Sequence, residues 1–220
     1  MRASIEVGMR TGVLAGAGLD PDTFRVFAML RNAYPDRAVS LESYRAAYLY
    51  QEPSVFDTAL ARMKAAGLVD DSGSGLVMLS DPGRQLIAKV RAAANEAATG
   101  LWGSEPLAAL SLADRCLAAA AESALPAGAF HVLAPPHDEP DDSDAMRLSE
   151  RLAGLRWHRF DAHVAAWTAA GFTAATVGEL GPGAERERLE QDTNERAGEP
   201  YAVLDPTERA SLLAALEELA

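Results

Sequence analysis

The stretch from Ser40 to Leu86 constrains the fold most, because it carries the signals of two helices, a hairpin and a third helix in that order. The second of these predicted helices runs from Pro53 to Ala66. Its apolar residues recur near three- and four-residue spacing, which gathers them on one core-facing side: Val55, Phe56, Leu60 and Met63. Gly67 then favours a helix end, since glycine readily takes the left-handed conformation that closes a C-terminus.

A hairpin and a capped helix follow. The run from Asp70 to Gly75 has turn chemistry, and the apolar run from Leu76 to Leu79 has the length of a strand. Ser80 offers its hydroxyl to the free amides of the next helix, and Pro82 fits its first turn, where a missing N–H costs nothing. Together with a capped helix from Leu41 to Tyr48, this order predicts a winged helix-turn-helix.

Two segments of this stretch resemble MarR-like winged-helix proteins. ALARMKAAGLV is similar to that group's recognition helix leading into a strand, and LVMLSDPGRQL is similar to its exit from the wing, a strand followed by Ser/Thr-x-x-Gly-Arg. The resemblance covers about the first hundred residues. It implies a transcription regulator that binds palindromic double-stranded DNA as a homodimer. An unrelated helical domain with one β-hairpin is the alternative fold.

Helices are predicted on both sides of this stretch. One spans Asp22 to Tyr34, and the helix after the wing continues to about Gly100 as a connector. Beyond a boundary at 103–106, helices are predicted at 107–125, 144–170, 173–180, 184–196 and 206–220, the last with a capping-box pattern at Asp205 and Glu208. The predicted fold class is mainly α. Residues 1–100 form a winged helix-turn-helix domain with one small β-hairpin, and residues 101–220 form an acidic α-helical bundle domain.

Charge is divided unevenly along the chain. Residues 1–99 hold eleven basic and eleven acidic residues, whereas the remaining nine basic and twenty-one acidic residues carry the whole net charge of −12. An acidic surface repels nucleic acid, so any DNA contact is expected from the N-terminal half.

Composition excludes several classes of protein. Cys116 is the only cysteine, which rules out an internal disulfide framework and a multi-cysteine zinc site, and we expect it to be a small buried apolar residue. No apolar run approaches the roughly 20 residues of a membrane helix, and the glycine-rich start lacks a secretion signal, so we expect a cytoplasmic protein with no membrane contact. Phosphate-loop, dinucleotide-binding and hydrolase motifs are missing, and we predict no cofactor and no catalytic residue.

The candidate DNA contacts lie around the second helix of the turn, whose N-terminal end enters the major groove in such domains. Polar side chains for bases or phosphates and basic side chains for phosphates are available here: Arg45, Gln51, Ser54, Thr58, Arg62, Lys64 and Arg84. Asp57, Asp70 and Asp71 oppose DNA binding, because each adds negative charge where DNA would approach.

The long helix at 144–170 carries an aromatic stripe and a group of titratable residues. Ala153, Trp157, Phe160, Val164 and Trp167 recur at three- and four-residue spacing, which favours core packing over an aromatic cage. His158 and Asp161 share a face, so the carboxylate is expected to orient the imidazole or raise its pKa. His163 lies five residues from His158, and the two imidazoles therefore point apart. His131 and His137 are expected to be exposed.

LRWHRFDAH and ERLEQDTNERAGEPY resemble segments of uncharacterised bacterial helix-turn-helix proteins that carry a helical companion domain. This weaker resemblance implies that several of these residues converge on one pocket or interface. The candidate ligand-binding set is Trp157, His158, Asp161, His163, Asn194 and Tyr201. The alternative is structural, with Thr193 and Asn194 as a hydrogen-bonding pair at a helix end and Tyr201 as a packed ring in a turn.

Three functions follow from these patterns. The favoured hypothesis is a DNA-binding transcription regulator whose acidic half dimerises or binds a small-molecule effector. The alternative is a winged-helix scaffold that does not read DNA and holds a small-molecule site, catalytic or not, between the halves around His158, Asp161 and His163. A protein-binding module that uses the winged surface is the third.

Overall fold

The computed structural model describes residues 18–71, 73–103, 107–123, 125 and 128–219. The protein is mainly helical with one small sheet, and its first elements are α1 (Pro21–Ala28), a 3-10 turn (Met29–Asn32), β1 (Val39–Ser40), α2 (Leu41–Ala46), α3 (Pro53–Ala65), β2 (Val69–Asp71) and β3 (Leu76–Leu79). The following elements are α4 (Asp81–Trp102), α5 (Ala108–Ala121), α6 (Phe130–Leu133), α7 (Asp144–Ala169), α8 (Ala184–Gly198) and α9 (Pro206–Glu218), with 3-10 segments at Val177–Glu179 and Glu199–Val203.

The sheet has three antiparallel strands in the order β1-β3-β2. Val77 of the central strand pairs with Val39 of β1, and Leu79 pairs with Val69 of β2. Side chains alternate along β3, so that Val77 and Leu79 are buried while Leu76 and Met78 are exposed. The predicted hairpin is confirmed, and β1 adds a strand of two residues that was too short to be recognised in the sequence.

Capping side chains fix the predicted helix starts. The Ser80 hydroxyl accepts a hydrogen bond from the Gly83 amide at 3.1 Å, and Ser143 does the same for Met146 at 3.1 Å. Asp205 and Glu208 form the predicted capping box. These bonds satisfy amides that the first helical turn leaves without partners.

Several predicted helix ends are wrong. The first helix stops at Ala28 and continues only as a 3-10 turn, and α2 stops at Ala46 because the next residues bond three positions back, as in Tyr48 N to Arg45 O. The helix predicted to reach residue 125 ends at Ala121 for the same reason. Thr193 and Asn194 lie inside α8, not at a helix end. Residues 104–106 of the expected boundary lie outside the described residues.

The long helix α7 lies between two apolar clusters. One cluster joins α1, α3 and the sheet to Ala129 and to Val132 of α6, and the other joins α5 and α9 to the first half of α7. Trp157 packs against both clusters, as expected for a helix that is apolar on two sides. Cys116 is fully buried in the second cluster, as predicted.

A buried polar network crosses this packing. Glu150 of α7 is 4% exposed and accepts hydrogen bonds from Arg31 Nε at 2.7 Å and from Asn32 Nδ2 at 2.8 Å. Asn32 Nδ2 also donates to Leu133 O at 3.1 Å, and Arg91 of α4 donates to Asn32 Oδ1 at 3.4 Å and to Asp142 at 2.6 Å. The network therefore links the end of the α1 segment, α4 and α7.

The start of α4 packs closely against the backbone at Leu68, just before β2, and this contact can be tested. A Cβ on Gly83 would lie 1.9 Å from Leu68 O, whereas a Cβ on Gly100 of the same helix meets nothing within 4 Å. We expect Gly83→Ala to lower the free energy of unfolding by about 1–3 kcal/mol, because backbone must shift to admit the methyl group. Gly100→Ala is the matched control and is expected to be neutral or to stabilise by about 0.5–1 kcal/mol. Urea unfolding measures both, and equal values for the two variants would contradict the packing.

Candidate ligand-binding cleft

His158 is a buried residue with a structural partner. Its ring is 2% exposed, its Nε2 lies 3.1 Å from Ser123 Oγ, and it packs edge-on against Phe130 with ring centroids 5.7 Å apart. Burial lowers the pKa of His158, because the charged imidazolium loses its hydration. The expectation that Asp161 orients this ring or raises its pKa is wrong.

Asp161 instead anchors the chain that enters α6. Its two carboxylate oxygens accept hydrogen bonds from the amides of Ala129 and Phe130, both at 2.9 Å. A Cβ on Gly128 would lie 2.4 Å from Asp161 Oδ1, so a glycine is required where this carboxylate meets the chain. Burial raises the pKa of Asp161, and the two amide hydrogen bonds oppose that rise.

A serine, a histidine and an aspartate at one place invite comparison with a nucleophilic triad. The geometry does not support one, since the Asp161 oxygens are bound to backbone amides and the Ser123–His158 pair borders a cavity of 10 Å³. A cavity of this size has room for about one water molecule. The pair is therefore structural.

The other predicted ligand-binding residues lie in separate surroundings. His163 packs near Trp167, with ring centroids 5.0 Å apart, and its Nδ1 lies 4.0 Å from Glu190 Oε1. Burial lowers the pKa of His163, and the Glu190 charge opposes this. Asn194 is exposed and accepts a hydrogen bond from Arg159 at 3.0 Å. Tyr201 packs against the α5–α9 cluster.

Trp157 alone of the predicted set lines a cleft of appreciable size. We call it the α1–α7 cleft; its volume is 310 Å³, and it lies where α1 and the turn after α2 face α7. Its apolar wall consists of Pro21, Phe24, Ala28, Met29, Ala47, Ala94, Ala153 and Trp157. Ligand pockets in proteins typically span about 300–1,000 Å³ and combine apolar walls with a few polar groups.

The polar residues of the α1–α7 cleft include three arginines and one glutamate. They are Arg25, Arg31, Tyr48, Gln51, Ser149, Glu150 and Arg156. Arg31 and Glu150 form the buried ion pair of the network, and Arg156 lies over the Trp157 ring, 5.4 Å from its centroid. Arg25 pairs with Asp22 at 3.4 Å, and both side chains are more than half exposed.

Each arginine among the candidate DNA residues has a carboxylate partner. Arg45 Nη1 is 2.7 Å from Asp57 Oδ1, and Arg62 Nη1 is 2.7 Å from Asp20 Oδ2. Hydrogen bonds from Thr23 and then Arg62 hold the pKa of Asp20 at about 2, so this carboxylate stays ionised. Arg84 pairs with Asp81 and also donates to Leu79 O at 2.6 Å.

The other members of that set divide between α3 and the α1–α7 cleft. Ser54 and Thr58 are exposed on α3, and Lys64 is exposed near its end. Gln51 is exposed but lines the α1–α7 cleft. Asp70 of β2 is exposed at the edge of the sheet.

No family model, curated protein or solved structure matches the chain. The MarR-like resemblance therefore stays a prediction. Within the described ranges, no helix is long and apolar enough to cross a membrane, and no three acidic, histidine or cysteine side chains are grouped as metal ligands. His131 is exposed as expected, whereas His137 is partly buried, with Nε2 at 2.9 Å from Glu139.

Most residues of the cleft carry no signal in the sequence that marks them as a site. Glu150, Ala153 and Trp157 are spaced three and four residues apart, which places them on one face of α7. This spacing indicates the shared face, but it does not indicate that α1 lies opposite. Arg25, Arg31 and Tyr48 carry no local signal of a site, because only tertiary packing brings them to it.

The buried imidazole gives a prediction about pH. Folding lowers the pKa of His158, so that on acidification the unfolded chain takes up a proton at this residue before the folded chain does. The free energy of unfolding therefore falls as pH decreases through the pKa of His158 in the unfolded chain. We expect His158→Gln to have a shallower loss of unfolding free energy between about pH 7.5 and 5.5 than the parent. His131→Gln, at an exposed position, is the control and keeps the parent's slope. Urea titrations at each pH measure this, and a slope in His158→Gln equal to the parent's would contradict the assignment.

Proposed function

We propose that this protein is a winged-helix protein that binds a small molecule in the α1–α7 cleft. The order of α1, β1, α2, α3 and a two-stranded hairpin, with β3 central in the sheet, supports the winged-helix part. The α1–α7 cleft supports the ligand-binding part of the proposal. It is a concave site with apolar walls and several polar side chains, and α1 and α7 both contribute to it.

The position of the cleft within the fold strengthens this proposal. Apart from Ala94 of α4, its lining comes from residues 21–51 and from α7, and Arg31 and Glu150 of these two parts are 119 residues apart in the sequence. The buried bonds of Glu150 to Arg31 and Asn32 hold these two elements together beside it. A pocket whose walls are held by buried charged hydrogen bonds is preorganised, which reduces the ordering cost of binding.

A transcription regulator remains the second candidate. The exposed face of α3 presents Ser54, Thr58 and Arg62, which suit contacts to bases and phosphates. In that role the protein would bind double-stranded DNA as a homodimer, with an effector in the α1–α7 cleft. The ion pairs of Arg45 and Arg62 count against it, since phosphates would have to displace two of the protein's own carboxylates.

Ligand binding is tested by filling the cleft. Ala153 lines the α1–α7 cleft, so Ala153→Leu places extra side-chain atoms in the space that a ligand would occupy. In a thermal-shift screen of metabolites covering acids, amines, sugars and nucleosides, we expect at least one compound to stabilise the parent and not Ala153→Leu. A compound at a hundred times its Kd adds about 2.7 kcal/mol.

The control makes the same substitution at the exposed end of α7. Ala169→Leu should respond to the compound as the parent does, because Ala169 lies outside the cleft. The proposal is rejected if no compound stabilises the parent, or if the stabilisation persists in Ala153→Leu.

DNA binding is tested by removing the carboxylate partner of Arg45. Asp57→Asn removes the carboxylate that pairs with Arg45, so anisotropy with DNA from the chain's own upstream region should show several-fold tighter binding than the parent, more so at low salt. Glu217→Gln makes the same charge change on exposed α9 and should have a smaller effect. The regulator hypothesis fails if neither the parent nor Asp57→Asn binds at low salt.

A further inference from the structure

We propose that the ligand of the α1–α7 cleft is an uncharged aromatic amide or lactam, whose rings pack against Phe24 and Trp157 and whose polar group hydrogen-bonds Gln51 and Ser149. This inference rests on the proposed function, since it names the chemical class of ligand for the same cleft. It follows from the uncharged hydrogen-bonding groups of the lining, from its paired charges and from its aromatic walls.

Two uncharged side chains of the lining have hydrogen-bonding capacity to offer a ligand. Gln51 follows α2 and Ser149 lies on α7, so they border the cleft from both sides. Among the described residues, neither the Gln51 amide nor the Ser149 hydroxyl has a hydrogen-bond partner. Tyr48, the other uncharged polar residue of the lining, already donates its hydroxyl to Arg25 O at 3.2 Å. Gln51 and Ser149 are therefore the groups available to orient a ligand.

The side chain of Gln51 matches an amide better than it matches other polar groups. A carboxamide has an oxygen that accepts and an NH₂ group that donates. An amide or lactam presents the same two functions in return, so both ends of Gln51 gain a partner. An ester or a carboxylate only accepts, which leaves the Gln51 oxygen without a donor, and an ammonium only donates. The Ser149 hydroxyl donates and accepts, so it fits either end of an amide.

The charged residues of the lining already have partners within the protein. Glu150 and Arg31 form a buried ion pair at 2.7 Å, and Arg25 pairs with Asp22 at 3.4 Å. Arg156 also has partners of its own. A charged ligand would lose its hydration and would have to displace one of these partners, whereas an uncharged ligand leaves the pairs intact. An anion would in addition approach a chain with a net charge of −12.

The walls favour a ligand with a flat aromatic body. Phe24 of α1 is 4% exposed and Trp157 of α7 is partly buried, so aromatic carbon borders the cleft on two sides. The small side chains of Ala28 and Ala153 leave space between these rings. Aromatic rings attract one another in offset-stacked and edge-to-face arrangements, in addition to the gain from burying their surface. A ring system in the cleft can make such contacts with both walls.

The inference is tested with four probes that share one ring system. Naphthamide, methyl naphthoate, naphthoate and naphthylmethylammonium are titrated into the full chain by calorimetry at low and at physiological salt. We expect naphthamide to bind about three- to tenfold more tightly than the methyl ester, which lacks a donor and so loses one hydrogen bond. The two charged probes should bind about tenfold or more weakly than naphthamide, because they lose hydration on binding. Naphthamide binding should not change with salt.

Variants assign the effect to the cleft. Gln51→Leu and Ser149→Ala should each weaken naphthamide binding about three- to tenfold, and each should weaken binding of the methyl ester less. Ala153→Leu, which fills the cleft, should abolish naphthamide binding. Gln85→Leu makes the same change as Gln51→Leu at an exposed position of α4 outside the cleft, and it should match the parent.

Each other outcome overturns the inference. It is wrong if either charged probe or the methyl ester binds as tightly as naphthamide, or if Gln51→Leu or Ser149→Ala keeps the parent's affinity for naphthamide. Binding by none of the four probes would also overturn it. The small-molecule function itself is decided separately by the metabolite screen on the parent and Ala153→Leu, in which a stabilising compound of another class would support the cleft and reject the amide.

Discussion

The carboxylate of Glu150 is buried in the middle of the molecule, and the arrangement of the elements around it depends on how it is satisfied. A buried charge without partners costs several kcal/mol, so its two oxygens need donors. Arg31 and Asn32 supply them from the 3-10 turn after α1. This requirement fixes where the turn lies on α7. Asn32 also donates a hydrogen bond to Leu133 O, which positions the end of α6 against the same turn. Removing one partner would leave a buried charge uncompensated, at a cost of about 3–5 kcal/mol.

A second carboxylate of α7 has a similar structural role. Asp161 binds the amides of Ala129 and Phe130 and so fixes the start of α6. With Glu150 at one end and Asp161 about three turns further along, α7 organises the chain on both sides. The polar residues that most resembled a catalytic group are thus occupied in holding the fold. The α1–α7 cleft lies on the helix face that carries Glu150, Ala153 and Trp157, where polar side chains border open space.

Local patterns predicted much of the fold. Helix and hairpin positions follow from spacing and caps, and Ser80, Ser143 and the Asp205 capping box mark helix starts as expected. Helix ends were less predictable, since bonds to the third residue back replace α-helical bonds after Ala46 and Ala121 without a proline or glycine at those positions. The site was predicted poorly. Trp157 was identified, but its cleft partners Arg25 and Arg31 lie on a distant segment whose docking on α7 depends on the Glu150 contacts.

Charge pairing explains why the DNA face and the cleft differ although both contain arginines. Asp57 of α3 lies 2.7 Å from Arg45 of α2, and Asp20 lies 2.7 Å from Arg62 of α3, so the protein's own carboxylates occupy the positions where phosphates would bind. In the cleft the buried carboxylate of Glu150 is satisfied by Arg31 and Asn32, and Arg25 pairs with the exposed Asp22. An anion at the DNA face has to displace a carboxylate at each arginine.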